Sequence, residues 1–303
     1  MSTPTPSKDS IPLAVGIIVT AVFAMSIGDM VVKGMGTQSQ IGMWQLFALR
    51  SALLVPLLLA VGLYLGLRGS LLPQSWRWVS LRSLLLVLVW VAYYAALPHM
   101  PFAAAAAALY TLPLFMVAFS ALWTHDTVTP LQGVAALLGF VGVGLILRPG
   151  GDAFTLYALL PVFGAALFAF AMVLTRVHCK DEHPLALAFS LHGMFVVLGA
   201  LGLIVVTMLP LGTPDGFMTA AWQAMDQQEW LRMALLAAML LVASVGTAMA
   251  YQKAPISIVG TFEFSYVGFA TIWGFLFFAE RPDLPTFAGL ILITAAGILA
   301  VRR

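Results

Sequence analysis

The stretch Glu280–Gly297 reads ERPDLPTFAGLILITAAG, and an earlier one, Asp126–Gly144, reads DTVTPLQGVAALLGFVGVG. Each opens on an acidic residue, passes through a short turn containing Thr and Pro, and runs on as a glycine-bearing apolar segment. Asp126 and Glu280 lie 154 residues apart, and so do Pro101 and Pro255. Gly133 and Gly289 open the apolar segments of the two copies. Further out, Phe47-Ala48-Leu49-Arg50-Ser51 matches Phe189-Ser190-Leu191-His192-Gly193 at an offset of 142, and Lys33 matches Thr175–Arg176. The matches keep one order along two halves, which marks an internal repeat.

Composition says what is repeated. The chain has 303 residues, of which 62% are hydrophobic and 9% charged, with a mean hydropathy of +1.01. An ordinary soluble domain is about 25% charged, and a compact soluble fold needs a polar skin this chain cannot supply. A disordered or fibrous chain is excluded by the same figures. The surface must face lipid. A crossing helix takes roughly 20 apolar residues, which leaves room for about ten crossings and little else.

Ten apolar runs answer that arithmetic: Ile11–Val32, Ile41–Gly66, Ser80–Leu97, Phe102–Trp123, Val128–Leu147, Phe154–Thr175, Pro184–Leu209, Trp230–Gln252, Ser257–Phe278 and Leu284–Val301. They are continuous, whereas barrel strands would alternate polar and apolar residues. The expected fold is all-α and integral to the membrane: ten helices, in five-helix units at 11–149 and 153–303 after a polar tail at 1–10. Ile11–Val32 is long enough to span and reads as a retained first helix, not a signal peptide. Pro210–Glu229, the longest connection, holds Trp222 and reads as an interfacial segment. Because five is odd, the second unit enters the membrane in the opposite sense. Inverted units give two alternative conformations, one open to each side, with a substrate site near the midplane.

Charge sets orientation. The termini and alternate loops carry Lys8, Arg68, Arg77, Arg82, Arg176, Lys180, Lys253, Arg302 and Arg303; the other side carries Lys33, Arg148, Arg232 and Arg281. That bias places both termini in the cytoplasm. The net charge of +2 is spent on topology and gives no sign of a nucleic-acid partner. The lone cysteine, Cys179, allows no internal disulfide.

The two acidic-turn-glycine segments resemble the drug/metabolite transporter superfamily, EamA type, which ends each half in this way. Pro113 and the aromatic-to-proline links Tyr94–Pro101 and Tyr251–Pro255 also fit, and the resemblance covers roughly residues 11–302. The chain departs from the pattern at Asp126, and at Val267, where the second half would repeat Pro113. The resemblance implies a ten-helix secondary transporter of the cytoplasmic (inner) membrane that exports amino acids, metabolites or drugs. The branch similar to aromatic amino-acid exporters is the one expected. Drug, nucleotide-sugar or other metabolite transport on the same fold is the first alternative. A membrane-embedded lipid-modifying enzyme is the alternative of another class, but the sequence has no nucleophile elbow and no zinc-type helix pair. No ATP-binding motif and no cofactor is read, so a gradient must drive flux. The expected partners are a small-molecule substrate and the lipid bilayer, with the protein a monomer or weak oligomer.

Ionisable groups inside spans are costly and need a reason. Glu263, flanked by Phe262, Phe264 and Tyr266, is a candidate ligand for a substrate ammonium or a coupling proton; the plainer alternative is a structural anchor. Asp29 and Lys33 stand at i,i+4, which favours a local structural or gating ion pair. Arg50 could hold a substrate carboxylate in a two-pronged contact or bridge to a backbone carbonyl or Asp29. His192, at the matching place in the seventh span, reads as a packed polar group or a titrating one.

Aromatics supply the rest. Tyr266 and Trp273, with Phe262 and Phe269, share a face of the ninth span; Trp90 and Tyr94 share one of the third, and Tyr110 lies in the fourth. They fit a cavity for an apolar or aromatic substrate, with lipid-facing or packing rings as the alternative. Trp44, Trp76, Trp78, Trp123, Trp222 and Trp230 fall near span ends as interfacial anchors. Pro113 and Pro161 are candidate kinks and hinges. Gly139, Gly142 and Gly144 read as close-packing surface. His178–His183 has metal-ligand residue types but poor spacing for a tetrahedral site, so no metal is expected.

Overall fold

The computed structural model describes residues 10–38, 40–64, 66, 71–119, 130–147, 155–179, 181–209, 216–253, 262, 265–281 and 283–301. The helices are α1 (Ser10–Gln38), α2 (Met43–Tyr64), α3 (Trp76–Ala96), α4 (Phe102–Leu109), α5 (Leu112–Phe119), α6 (Pro130–Leu147), α7 (Leu159–His178), α8 (Pro184–Met208), α9 (Gln227–Lys253), α10 (Ser265–Phe278) and α11 (Leu284–Val301). No strand occurs among the described residues. Among the described residues six helical segments are long and apolar enough to cross a bilayer: Pro12–Thr37, Met43–Tyr64, Trp76–His99, Leu156–Thr175, Leu185–Met208 and Gln227–Thr247. Gly133–Leu147, Ser265–Phe278 and Leu284–Ala296 are shorter apolar helices.

The expected fourth span, Phe102–Trp123, is not one rod. It breaks at Tyr110–Thr111, between α4 and α5. The backbone N–H of Thr111 and its Oγ1 both donate to the Ala108 carbonyl, at 3.3 and 2.8 Å, so polar groups at the break are satisfied locally. Pro113 sits in the first turn of α5 and Pro161 in the first turn of α7. A first turn needs no donor at that nitrogen; the kink expected near Pro113 takes the form of the α4–α5 break just ahead of it, while Pro161 opens α7 and does not kink its middle. Among the described residues Pro56, in α2, does sit inside a helix.

The helices pack in antiparallel pairs. α1 lies along α9, where Gly28 faces Leu236 and Gly246 faces Ala21. α2 lies along α8, with Trp44 over Gly202 and Ala48 against Gly199. α3 lies along α7, with Trp78 stacked on His178 and Arg82 Nε donating to Thr175 Oγ1 at 2.7 Å. α6 lies along α11, where Gly142 meets Gly289 and Gly139 meets Ala296. α10 packs against both α1 and α4. Leaving out side chains at these glycines lets backbones approach, which drives association where lipid removes the hydrophobic incentive.

The connection before α9 is clipped to α2. Met43 N–H donates to Phe217 O at 2.7 Å, and the Gln45 amide both donates to and accepts from the Gln223 backbone. Trp76, Trp78, Trp222 and Trp230 are exposed, as interfacial anchors would be, while Trp44 is partly buried; Trp123 lies outside the described residues.

Candidate functional site

The most polar point in the interior is Asp29, on α1 and only 2% exposed. Its Oδ1 accepts from the Tyr94 hydroxyl of α3 at 2.7 Å, and its Oδ2 from the Tyr266 hydroxyl of α10 at 2.6 Å. The Tyr266 hydrogen is thereby used, so Tyr93, 2.9 Å away, is the donor in the Tyr93–Tyr266 hydroxyl pair. Arg50 of α2, 1% exposed, donates from Nη1 to the Tyr94 hydroxyl at 3.0 Å. Four helices thus meet in one chain, Arg50–Tyr94–Asp29–Tyr266–Tyr93. A buried carboxylate and a buried guanidinium are each expensive alone; one shared hydroxyl lets them offset each other.

Rings enclose this chain. The Arg50 guanidinium lies 4.8, 5.2 and 5.0 Å from the ring centroids of Phe47, Tyr94 and Phe195, within cation–π range. Among the described residues its Nε has no hydrogen-bond partner. Trp90 packs on Tyr94 at 5.4 Å, and Tyr110, next to the α4–α5 break, stacks on Tyr266 at 5.5 Å. Trp273 donates from Nε1 to Ser26 Oγ at 3.0 Å, one turn before Asp29. His192 of α8 is buried, 3.5 Å from Ser51 Oγ and stacked near Phe195. It is a packed polar group at the edge of the cluster.

Lys33 does not pair with Asp29, as the i,i+4 spacing suggested. It turns to Glu280, with Nζ 3.0 Å from Oε1. The same ammonium donates to the carbonyls of Leu97 at 3.1 Å and Met100 at 2.6 Å. Glu280 Oε2 accepts from the Phe102 N–H, at the start of α4, at 2.8 Å. α1, the α3–α4 turn and the α10–α11 turn are therefore locked at one end of the bundle, one helical turn beyond Asp29.

Of the residues singled out from sequence, Asp29, Arg50, Trp90, Tyr94, Tyr110, Tyr266 and Trp273 come together, with Lys33 and His192 at the margins. Glu263 and the side chain of Pro113 lie outside the described residues. The sequence alone singles out neither Tyr93 nor Ser26, and Glu280 stands out there only as a repeat marker. Tyr93 stands three residues after Trp90, a same-face spacing in a helix, and that was the available signal. No cluster of three metal-ligand side chains occurs among the described residues. In the His178–His183 segment, Glu182 accepts from the N–H groups of Gln74 and Ser75 ahead of α3, and His183 caps α8.

Known proteins resemble this chain. The profile of the EamA-like transporter family matches residues 12–148. The riboflavin transporter of Vibrio cholerae serotype O1 is 31% identical over 233 residues, 76% of this chain and 72% of that protein. The chain belongs to the EamA-like transporter family. Two further relatives are the riboflavin transporter of Brucella anthropi, 26% identical over 72% of each chain, and the pseudopaline exporter of Pseudomonas aeruginosa, 25% identical over 77% of this chain and 78% of that one. A solved crystal structure superposes with a TM-score of 0.67 at 20% identity, covering 97% of this chain and 98% of that one, which shows a common fold. EamA-like membership makes the chain a membrane transport protein, and its relatives carry transporter names and not enzyme names.

Proposed function

We propose that the chain is a secondary transporter that moves a small aromatic or heteroaromatic metabolite across the inner membrane by alternating access. The observation that carries this reading is the sealed Arg50–Tyr94–Asp29–Tyr266–Tyr93 chain, which joins α1, α2 and the last turn of α3 to the first turn of α10. In this reading 11–149 and 153–303 are inverted five-helix units, with the termini cytoplasmic and the Lys33–Glu280 lock on the periplasmic side. The helix pairings support it. Exchanging the units turns α1–α9 into α7–α3, and leaves α2–α8 and α6–α11 unchanged. A unit inverted in the membrane requires those last two pairs to be antiparallel, and they are.

A flavin is the first substrate to test. Stacked rings around hydroxyl and guanidinium donors suit a planar heterocycle with carbonyl acceptors, and relatives are named riboflavin transporters. Export of an aromatic amino acid is the second reading. It is favoured by a carboxylate and a guanidinium one hydroxyl apart, a spacing that suits a zwitterion. Counterflow in proteoliposomes with labelled riboflavin, phenylalanine, tyrosine and tryptophan separates the two. Exchange of riboflavin alone supports the first, and exchange of the amino acids alone supports the second. No exchange of any of the four sinks both substrate readings.

A further inference from the structure

In this sealed state the site's tyrosine hydroxyls are already spoken for. Tyr94 and Tyr266 both give their hydrogens to Asp29, and Arg50 Nη1 is bound to Tyr94. An ionised carboxylate can only accept, so while Asp29 is charged it holds both hydroxyls and balances the guanidinium. A substrate with acceptor oxygens finds no free hydroxyl. A protonated carboxyl differs on each count: it offers an O–H, accepts less strongly, and leaves Arg50 an uncompensated buried cation with an open Nε.

We propose that Asp29 binds a coupling proton, and that its uptake hands the Tyr94 and Tyr266 hydroxyls and the Arg50 guanidinium to the substrate. The proton comes from water on the side to which the site opens, forms the O–H bond on Asp29, and leaves to water on the other side after reorientation. Proton and substrate therefore bind together. The proposal rests on the transport reading above and names its coupling ion.

The surroundings leave Asp29 as the group that exchanges the proton. α3 presents Tyr93 and Tyr94, α10 presents Tyr266, and α2 presents Arg50 through Tyr94. α9 presents Leu236 and Met239 to this turn of α1. Lys33, the next charge along α1, is held by Glu280 and two carbonyls, and His99 of the α3–α4 turn stacks on Tyr157 instead. The tie to α10 adds a mechanical consequence. Losing the Tyr266 bond loosens α1 from α10, so the proton that admits substrate also releases one bond holding the two halves together.

Two measurements on the purified full chain in nanodiscs test this. Riboflavin binding, read by quenching of flavin fluorescence, should tighten as pH falls, approaching about tenfold per pH unit, the limit for one linked proton. Asp29→Asn, which imitates the protonated carboxyl, should bind at all pH values about as tightly as the wild type does at low pH. Should Asp29→Asn not fold, Asp29→Glu should keep the pH dependence with a displaced midpoint. The second measurement needs no substrate. Emission from Trp90 and Trp273, read against pH, should show a one-proton transition that Asp29→Asn abolishes. That transition with no flavin binding at any pH keeps the proton site and removes the flavin. A transition that survives Asp29→Asn, or wild-type binding that ignores pH, overturns the proposal.

Discussion

Two helix seams run through the molecule, and they are built in opposite ways. The α6–α11 seam is made of missing side chains: a Cβ placed on Gly142 would lie 2.8 Å from the Gly289 carbonyl oxygen and 2.9 Å from Ile293 Cγ1. The α1–α10 seam has a ring contact point, Phe23 against Phe269 and Trp273, and otherwise a few polar ties: Ser26 to Trp273, Asp29 to Tyr266 and, just past the end of α10, Lys33 to Glu280. Dispersion along a glycine seam is lost gradually and all along the helix as backbones separate. Hydrogen bonds and an ion pair are lost one at a time and can be exchanged for water or ligand. The first seam suits a fixed frame, the second a joint that opens.

The comparison breaks most visibly at Gly142. Gly142→Val drives a side chain into backbone that cannot step aside, and the expected cost is about 3 kcal/mol. A thermal melt in detergent should show a large drop, with transport lost in proportion to folded protein. A near wild-type melt would mean that α6 and α11 are not a tight frame.

Glu280→Gln should come next, with a different signature. It keeps the shape but removes the charged partner of a buried lysine that still has two carbonyl acceptors, an expected loss of about 2 kcal/mol from the locked arrangement. The melt should move less than for Gly142→Val, while the locked end opens. With Cys179→Ala as background and Met100→Cys as reporter, a membrane-impermeant maleimide should react roughly tenfold faster when Glu280→Gln is added. An unchanged rate would show that Lys33 and Glu280 do not hold that end shut. The native Cys179 should itself be a slow reactant, because burial pushes its thiol above the ordinary range.

Tyr266→Phe removes one donor to Asp29 and the acceptor for Tyr93, at about 1–2 kcal/mol. Flux should fall while the melt stays close to wild type, since neighbouring rings still fill the space. A variant with full flux would take Tyr266 out of the joint. Ser26→Ala should cost least, under about 1 kcal/mol. Its expected trace is a shift in Trp273 emission with flux nearly intact.

Much of this was legible in the sequence, unevenly. Long apolar runs fall on helices because lipid leaves the backbone few other options. The break at Tyr110–Thr111 was not legible. The run through it is apolar throughout, and Pro113 marked the neighbourhood but not the position. Asp29, Arg50, Tyr94 and Tyr266 stood out because charge and hydroxyls are rare in apolar spans. Their partners did not. Helical spacing reports neighbours on one helix, so it offered Lys33 to Asp29; the real partner of Lys33 lies 247 residues away and is set by how α1 meets the α10–α11 turn. Tyr93 was missed because it sits beside the more obvious Tyr94, although both face the same cluster.

The alanine run of α4, Ala103–Ala108, meets α6, α7 and α10, and most of it is fully buried. Alanine has no χ torsion and no protruding knob. Helices that touch such a surface can shift along it without changing rotamers or unlocking interdigitated side chains. α4 is in that sense a plain bearing, smooth in the middle, with its Phe102 end pinned to Glu280. Large side chains placed along it would act as teeth, and the ease of sliding would fall with each one added.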